Sequence, residues 1–399
     1  MLKPLKKFMR NDTELVAGLR KELNPFLGAS LLSSIGSLPL HLSPLIISAI
    51  VADSYATIAM AGWITTALVI GQLFTSLLLP SFQIRSVRPV ILVLVAFMFL
   101  AGVLISGLGN FAWILLGWFC VGLCCGILKF FGTMAAVQFP YRPFAFSLRL
   151  AFILVLAGLV TAILLLTNAF TSYQTLSSNL IVVLVPLLTC GILLHRSGEA
   201  KPAEQTPVLE KRERWSRAQL TGLLTIYLFF VGQVGFFAFV IHQALERGMS
   251  LYASIWTLAL VKFLGGIVLV YFSIGEIKKP EGRPLIYIAV PLILAILMLS
   301  KTDNIALFFL GLFIFELAIN PLSAKIQSEV VSNAPQLTGS WLTGIILLGS
   351  ASGPPLHGFA LAHGYGNLFV LFAVISALLP YIWQRSKSSV YAVASGVRN

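Results

Sequence analysis

The chain has 399 residues, 58% of them hydrophobic and only 10% charged, with a mean hydropathy of +0.93. A water-soluble protein of this length needs far more polar surface, so the composition excludes an ordinary soluble domain. The 27 Lys and Arg against 14 Asp and Glu give a formal net charge of +13. On a soluble domain that excess would suggest a nucleic-acid partner; here it reads as a membrane-orientation signal, and no nucleic-acid partner is expected.

Twelve apolar stretches follow one another along the chain: 25–52, 56–80, 89–108, 110–138, 150–168, 178–194, 219–241, 251–272, 284–300, 304–324, 337–361 and 366–384. About 20 residues at about 1.5 Å rise cross the roughly 30 Å hydrocarbon core. The stretches are uniformly apolar and do not alternate as barrel strands do, and a helix satisfies its own backbone in lipid. The predicted fold is therefore an all-α membrane protein with twelve transmembrane helices. The basic start resembles that of a signal peptide, but the apolar run behind it is too long and eleven more follow, so it is expected to remain as the first helix.

Six basic residues precede span 1 (Lys3, Lys6, Lys7, Arg10, Arg20, Lys21) and six lie in the long middle loop (Arg196, Lys201, Lys211, Arg212, Arg214, Arg217). The other even-numbered loops and the C-terminal end hold eleven more, Arg149 among them, whereas the odd loops hold only Arg247 and Lys301. By the positive-inside rule both termini face the cytoplasm. This tally leaves Lys129 and Lys262 as the cations inside spans. The short loops and compact chain suggest a cell membrane of the inner or plasma type.

The middle loop divides the spans six and six. The expected organisation is a cytoplasmic segment (1–24), a first six-helix bundle (25–195), a cytoplasmic linker (196–218), a second six-helix bundle (219–385) and a cytoplasmic tail (386–399). The halves echo one another. Ser54-Tyr55-Ala56-Thr57-Ile58 at span 2 matches Leu251-Tyr252-Ala253-Ser254-Ile255 at span 8, an offset of 197, and Arg88-Pro89-Val90-Ile91 matches Arg283-Pro284-Leu285-Ile286, an offset of 195. Parallel six-helix repeats are a transporter architecture whose substrate site lies near the midplane between the halves.

With these features the chain resembles the major facilitator superfamily over essentially its whole length. The family's loop signature, Gly-x-x-x-Asp-Arg-x-Gly-Arg-Arg, has two counterparts here. Pro80-Ser81-Phe82-Gln83-Ile84-Arg85-Ser86-Val87-Arg88-Pro89 keeps the basic end and the proline without the acid or the glycine, and Gly275-Glu276-Ile277-Lys278-Lys279-Pro280-Glu281-Gly282-Arg283-Pro284 is closer. The Gly-x-x-x-Gly-Pro text associated with drug antiporters is absent from span 5. Similar text stands on span 11 as Gly349-Ser350-Ala351-Ser352-Gly353-Pro354-Pro355, where it suits close, bendable packing. The resemblance implies two bundles rocking about a central cavity lined by spans 1, 4, 7 and 10, so that His41, Lys129, Gln233, Glu316 and Asn320 share it.

The residues themselves support several candidates. On span 1, Ser30, Ser33, Ser34, Ser37, His41 and Ser48 recur at helical spacing and form a polar stripe that faces protein or water. Helix–helix hydrogen bonding explains the serines; a cavity wall with His41 as a titrating or ligand-binding group explains them equally. Pro39 and Pro44 flank His41 and free backbone carbonyls there. Lys129 on span 4 lies among small residues including Cys125, Gly126 and Gly132, and fits either an interior partner or ligand or a side chain reaching the cytoplasmic interface. Lys262 is central in span 8 and shares its face with Ala259, Gly265 and Gly266, which suits an ion pair or a substrate contact. Glu316 is the acid well inside a span, with Asn320 one turn on; it is the candidate for proton coupling or, alternatively, a lysine's structural partner. Gln233 on span 7 lies among Tyr227, Phe229, Phe230, Phe236 and Phe237.

The substrate-binding candidates are thus His41, Lys129, Gln233, Asn320 and Lys262, and the proton-coupling candidates Glu316 and His41. Cys120, Cys124, Cys125 and Cys190 fall in apolar spans as small hydrophobes, although a Cys-x-x-x-Cys-Cys cluster is able to hold a soft metal. His242, Glu246, His357 and His363 are expected near the outer surface, as a gate at most. No phosphate loop, metal-ligand spacing or nucleophile signature stands out, so neither an enzyme nor a resident cofactor is expected.

Two lysines against one acid favour an anionic solute. The leading reading is a proton-coupled secondary transporter of a small organic anion, working by alternating access as a monomer in the lipid bilayer. The alternatives are a drug or metabolite efflux antiporter, favoured by the 29 Phe; a metal or metal-chelate importer; and a non-transporting receptor or assembly factor.

Overall fold

Helices occupy each predicted apolar stretch, and two of the stretches hold two helices apiece. The computed structural model describes residues 13–79, 89–138, 142–196, 217–276, 285–332 and 340–394. In chain order these form α1 (Thr13–His41), α2 (Ser43–Ala52), α3 (Ile58–Leu78), α4 (Pro89–Ser106), α5 (Phe111–Gln138), α6 (Arg142–Leu166) and α7 (Tyr173–Arg196), then α8 (Arg217–Ala238), α9 (Val240–Glu246), α10 (Leu251–Glu276), α11 (Ile286–Lys301), α12 (Ile305–Ser332), α13 (Ser340–Ala362) and α14 (Gly366–Ala394). No strand occurs among the described residues. Ten helical segments are long and apolar enough to cross a membrane, and Ile91–Ser106 and Ile286–Lys301 are shorter apolar helices. Phe97, Leu166 and Val182 are among many large apolar side chains left exposed on the outside, as a surface solvated by lipid requires. The loop text at 80–88, most of its second copy at 277–284 and the linker core at 197–216 lie outside the described residues.

Span 1 departs from the expected single helix. It breaks at Leu42 because Pro44 sits in the first turn of α2. A proline there has no N–H and crowds the carbonyl four residues back, and that carbonyl, on Leu40, instead accepts the Ser43 hydroxyl at 2.8 Å. Span 7 breaks likewise at Phe239, between α8 and α9. The breaks stand 197 residues apart, the offset of the Tyr55 and Tyr252 texts. The starts of α5 and α12 also correspond, since Asn110 Oδ1 accepts the Ala112 N–H and Asn304 Oδ1 the Ala306 N–H, each at 2.9 Å. α7 starts at Tyr173, five residues before the predicted span, where its first N–H donates to Asp53 Oδ2 at 2.6 Å.

Without a hydrophobic drive between helices in lipid, close approach depends on small residues. Glycines supply it. A Cβ on Gly62 of α3 would lie 2.4 Å from the Pro354 carbonyl oxygen of α13, and one on Gly158 of α6 would lie 2.7 Å from that of Ala259 on α10. The extensive α3–α13 and α6–α10 contacts join the part of the chain before residue 197 to the part after 216. At one end of the molecule α2 meets α9, and Ile47, Ala61, Ala238 and Phe239 close over one another.

Candidate functional site

Where the two parts of the chain meet, α1, α10 and α12 bring three of the predicted residues together. Lys262 on α10 is fully buried and Glu316 on α12 is 3% exposed. The lysine donates to Glu316 Oε1 in a short, buried ion pair. Its Nζ also lies 3.2 Å from His41 Nδ1 at the end of α1. An ammonium only donates, so this contact makes Nδ1 the acceptor and leaves the imidazole proton on Nε2. Asn320, one turn beyond Glu316, donates from Nδ2 to the Glu316 backbone oxygen at 2.9 Å and reaches Oε2 at 3.4 Å. The Phe237 ring lies 4.5 Å from Lys262 Nζ and stacks on Phe315 at 5.9 Å, so an aromatic wall lines one side.

This geometry resolves the role of α10. Gly265, one turn from Lys262, faces α12, where a Cβ would lie in ordinary contact, 3.9 Å from Glu316 Cβ. α10 enters the site through the Lys262–Glu316 pair.

A second polar group lies on α5, between α1 and α3. A Cβ on Gly126 would fall 1.8 Å from Thr75 Oγ1 of α3, and one on Gly132 would fall 2.1 Å from Ser33 Cβ of α1. Lys129, midway between these glycines, donates to Gln72 Oε1 on α3 at 2.8 Å. Lys129 thus has an amide partner on the neighbouring helix.

Arg149 corrects the sequence tally. Expected in a cytoplasmic loop, it lies within the candidate span Leu148–Leu166 of α6 and donates from Nε to Ser33 Oγ at 2.8 Å. Hydropathy places a span boundary at the charge, but α6 begins at Arg142, seven residues earlier. The signal available in the sequence was the apolar text on both sides of it, from Phe144 to Phe152.

Other predicted residues go elsewhere. Gln233 is buried, but its Nε2 bonds the Ala373 carbonyl and Ser376 Oγ of α14 at 2.9 and 2.8 Å, away from the Lys262 cluster. Of the stripe on span 1, Ser34, Ser37 and Ser48 donate back to carbonyls four residues earlier in their own helices, and Ser33 receives Arg149. His357 is fully buried, with the Phe239 ring 5.3 Å from its own at the closed α2–α9 end: Nδ1 donates to the Gly235 carbonyl at 2.8 Å, which leaves Nε2 to accept from Gln243 at 3.1 Å. Phe369 stacks on its ring at 4.2 Å. Cys124 and Cys125 are buried and Cys190 is exposed on α7; among the described residues no three His, Cys, Asp or Glu gather as a metal site.

Apolar helices packed around a buried ion pair are the make-up of a multi-pass membrane protein. The Major Facilitator Superfamily model matches residues 26–340, and the chain belongs to that family. Among solved structures, the human organic anion transporter MFSD10 (TETRAN) is similar in fold, with a TM-score of 0.60 at 16% identity over 91% of this chain and 98% of that one. No curated protein matches the sequence.

Proposed function

We propose that the chain is a proton-coupled secondary transporter of a small organic anion, built as two six-helix bundles of a twelve-span protein with both termini cytoplasmic. The observation that carries this reading is the Lys262–Glu316–His41 cluster, in which the sole acid inside the described candidate spans is bound to a lysine that also reaches the other part of the chain. Protonating Glu316 removes the charge that holds Lys262, and protonating His41 removes the lone pair that accepts from it. Either event loosens the tie between the bundles, which is what a coupling proton must do in a two-state cycle. With Lys129, Arg149 and Lys262 against Glu316, the interior cations outnumber the acids and favour an anionic cargo. The organic anions named for MFSD10 agree with that class.

The repeat is supported by matching packing as well as text. Exchanging the halves converts the α3–α13 contact into the α6–α10 contact, α1–α7 into α8–α14, and α4–α7 into α11–α14, and all six occur. The closed α2–α9 end belongs to the odd loops, so the structure is shut toward the outside under the proposed orientation. His41, Lys129, Lys262 and Asn320 are the substrate-side residues in this reading; Gln233 supports the wall through α14.

The test uses protein reconstituted in liposomes with an anion found by thermal-shift screening. Glu316→Gln mimics the protonated acid and is expected to lose uphill, pH-driven uptake while anion exchange persists. Full proton-driven uptake in this variant would remove Glu316 from coupling and leave His41 as the candidate.

A further inference from the structure

We propose that Arg149 is the anchoring residue of the anion site: with Lys129 and the Gln72 amide, it seats the carboxylate of the transported solute between α1, α3, α5 and α6. This rests on the anionic-cargo reading and adds the residue that grips the charged group.

Three observations converge. First, Arg149 stands at the start of the candidate span Leu148–Leu166, yet its hydrogen bond among the described residues is to a neutral hydroxyl, Ser33 Oγ, through Nε. That bond fixes the guanidinium plane and leaves the two terminal amino groups, the fork that matches a carboxylate with two parallel N–H···O bonds. The acid within the described spans, Glu316, is already engaged by Lys262 and Asn320.

Second, Gln72 is fully buried, and while its Oε1 accepts from Lys129, its Nε2 has no hydrogen-bond partner among the described residues. A buried amide donor left unmade is disfavoured unless something fills the position. What it lacks is an acceptor.

Third, the backbone presents these groups to one place. Gly126 and Gly132 flank Lys129 at three residues on either side, and they bring α5 against α3 at Thr75 and against α1 at Ser33. Lys129 thus emerges between the helix that carries Gln72 and the helix whose Ser33 holds Arg149. Ammonium, guanidinium and amide hydrogens are all donors. Such a set has no use for a cation or a neutral apolar solute, and the planar fork favours a carboxylate over a spherical anion.

The experiment measures thermal stabilisation of purified full-length protein by benzoate and by succinate, with benzamide as the uncharged control. Wild type is expected to be stabilised by at least one carboxylate and not by benzamide. Arg149→Gln should weaken that binding by about tenfold or more, and Arg149→Lys, which keeps charge without the fork, should fall between. Ser33→Ala, which removes only the positioning bond, should weaken it by roughly threefold. Unchanged carboxylate affinity in Arg149→Gln, with loss in Lys129→Ala, would overturn the Arg149 seat and leave the anionic reading standing. Absence of any carboxylate effect on wild type would overturn both. If Arg149→Gln does not fold, Arg149→Lys decides: affinity equal to wild type removes the fork from recognition.

Discussion

Lys262 on α10 and Glu316 on α12 form an ion pair with almost no access to solvent, and Asn320 occupies the remaining carboxylate oxygen. Both charges have lost their hydration, so each depends on the other. Glu316→Ala strands an ammonium and is expected to destabilise the protein by about 3–5 kcal/mol. Replacing both residues with Met should recover most of that loss, because a matched apolar pair has no charge to strand. Thermal unfolding of the single and double variants in detergent checks this, and a double variant no more stable than Glu316→Ala would argue that the pair acts through something other than mutual neutralisation.

Lys129 donates to Gln72 Oε1 and, in the proposed site, to the solute. Lys129→Ala is expected to weaken carboxylate binding by about tenfold, since a charge-assisted bond in a water-poor site is lost. Lys129→Arg should retain part of the affinity, charge being kept and shape changed. Isothermal titration with the best carboxylate is the measurement. Equal affinity in Lys129→Ala would assign the lysine to packing with α3 alone.

How far the sequence reveals this site depends on what kind of neighbour each residue has. Glu316 and Asn320 are one turn apart and stand out in apolar text, so both were legible. The contact from Lys262 to His41 joins residues 221 positions apart, and no helical periodicity encodes it. Arg149 was hidden for the opposite reason: hydropathy treats a charge as the end of a span, although a serine on the facing helix is enough to orient it inside. The burial of His357 was not legible, because the Gly235 carbonyl on α8 and the Phe369 ring on α14 that enclose it come from other helices. The breaks at Leu42 and Phe239 differ again, since a proline marks the first and the second has no proline beside it.

The proposed topology is open to labelling from outside intact cells. Cysteine at Ser54, exposed in the loop after α2, or at Gln174, exposed in the first turn of α7, should react with a membrane-impermeant maleimide, whereas cysteine in the 197–216 linker should react only after lysis. Labelling of the linker in intact cells would invert or break the twelve-span assignment.

Gly62 on α3 offers a direct test of the proposed outer gate. A Cβ there would lie 2.4 Å from the Pro354 carbonyl oxygen and 2.7 Å from Pro355 Cα, both backbone atoms of α13 that cannot turn aside as a side chain would. Thr66, one turn further along α3, donates to the Ala351 carbonyl at 2.6 Å, so the helices are held in register beside this contact. A valine at position 62 must therefore push α3 and α13 apart at the closed end, which disfavours the arrangement seen here relative to its alternative. A ligand-free shift follows from differential strain in the two states. Gly62→Val is expected to speed reaction of a cysteine at position 238, where Ala238 is fully buried beneath Ile47, Ala61 and Phe239, with an externally added reagent by about tenfold. Gly62→Ala should give a smaller effect of the same sign, and anion exchange should slow in both because one state has been disfavoured. A folded Gly62→Val protein with wild-type labelling would mean that α3 and α13 stay together throughout the cycle and that the gate lies elsewhere.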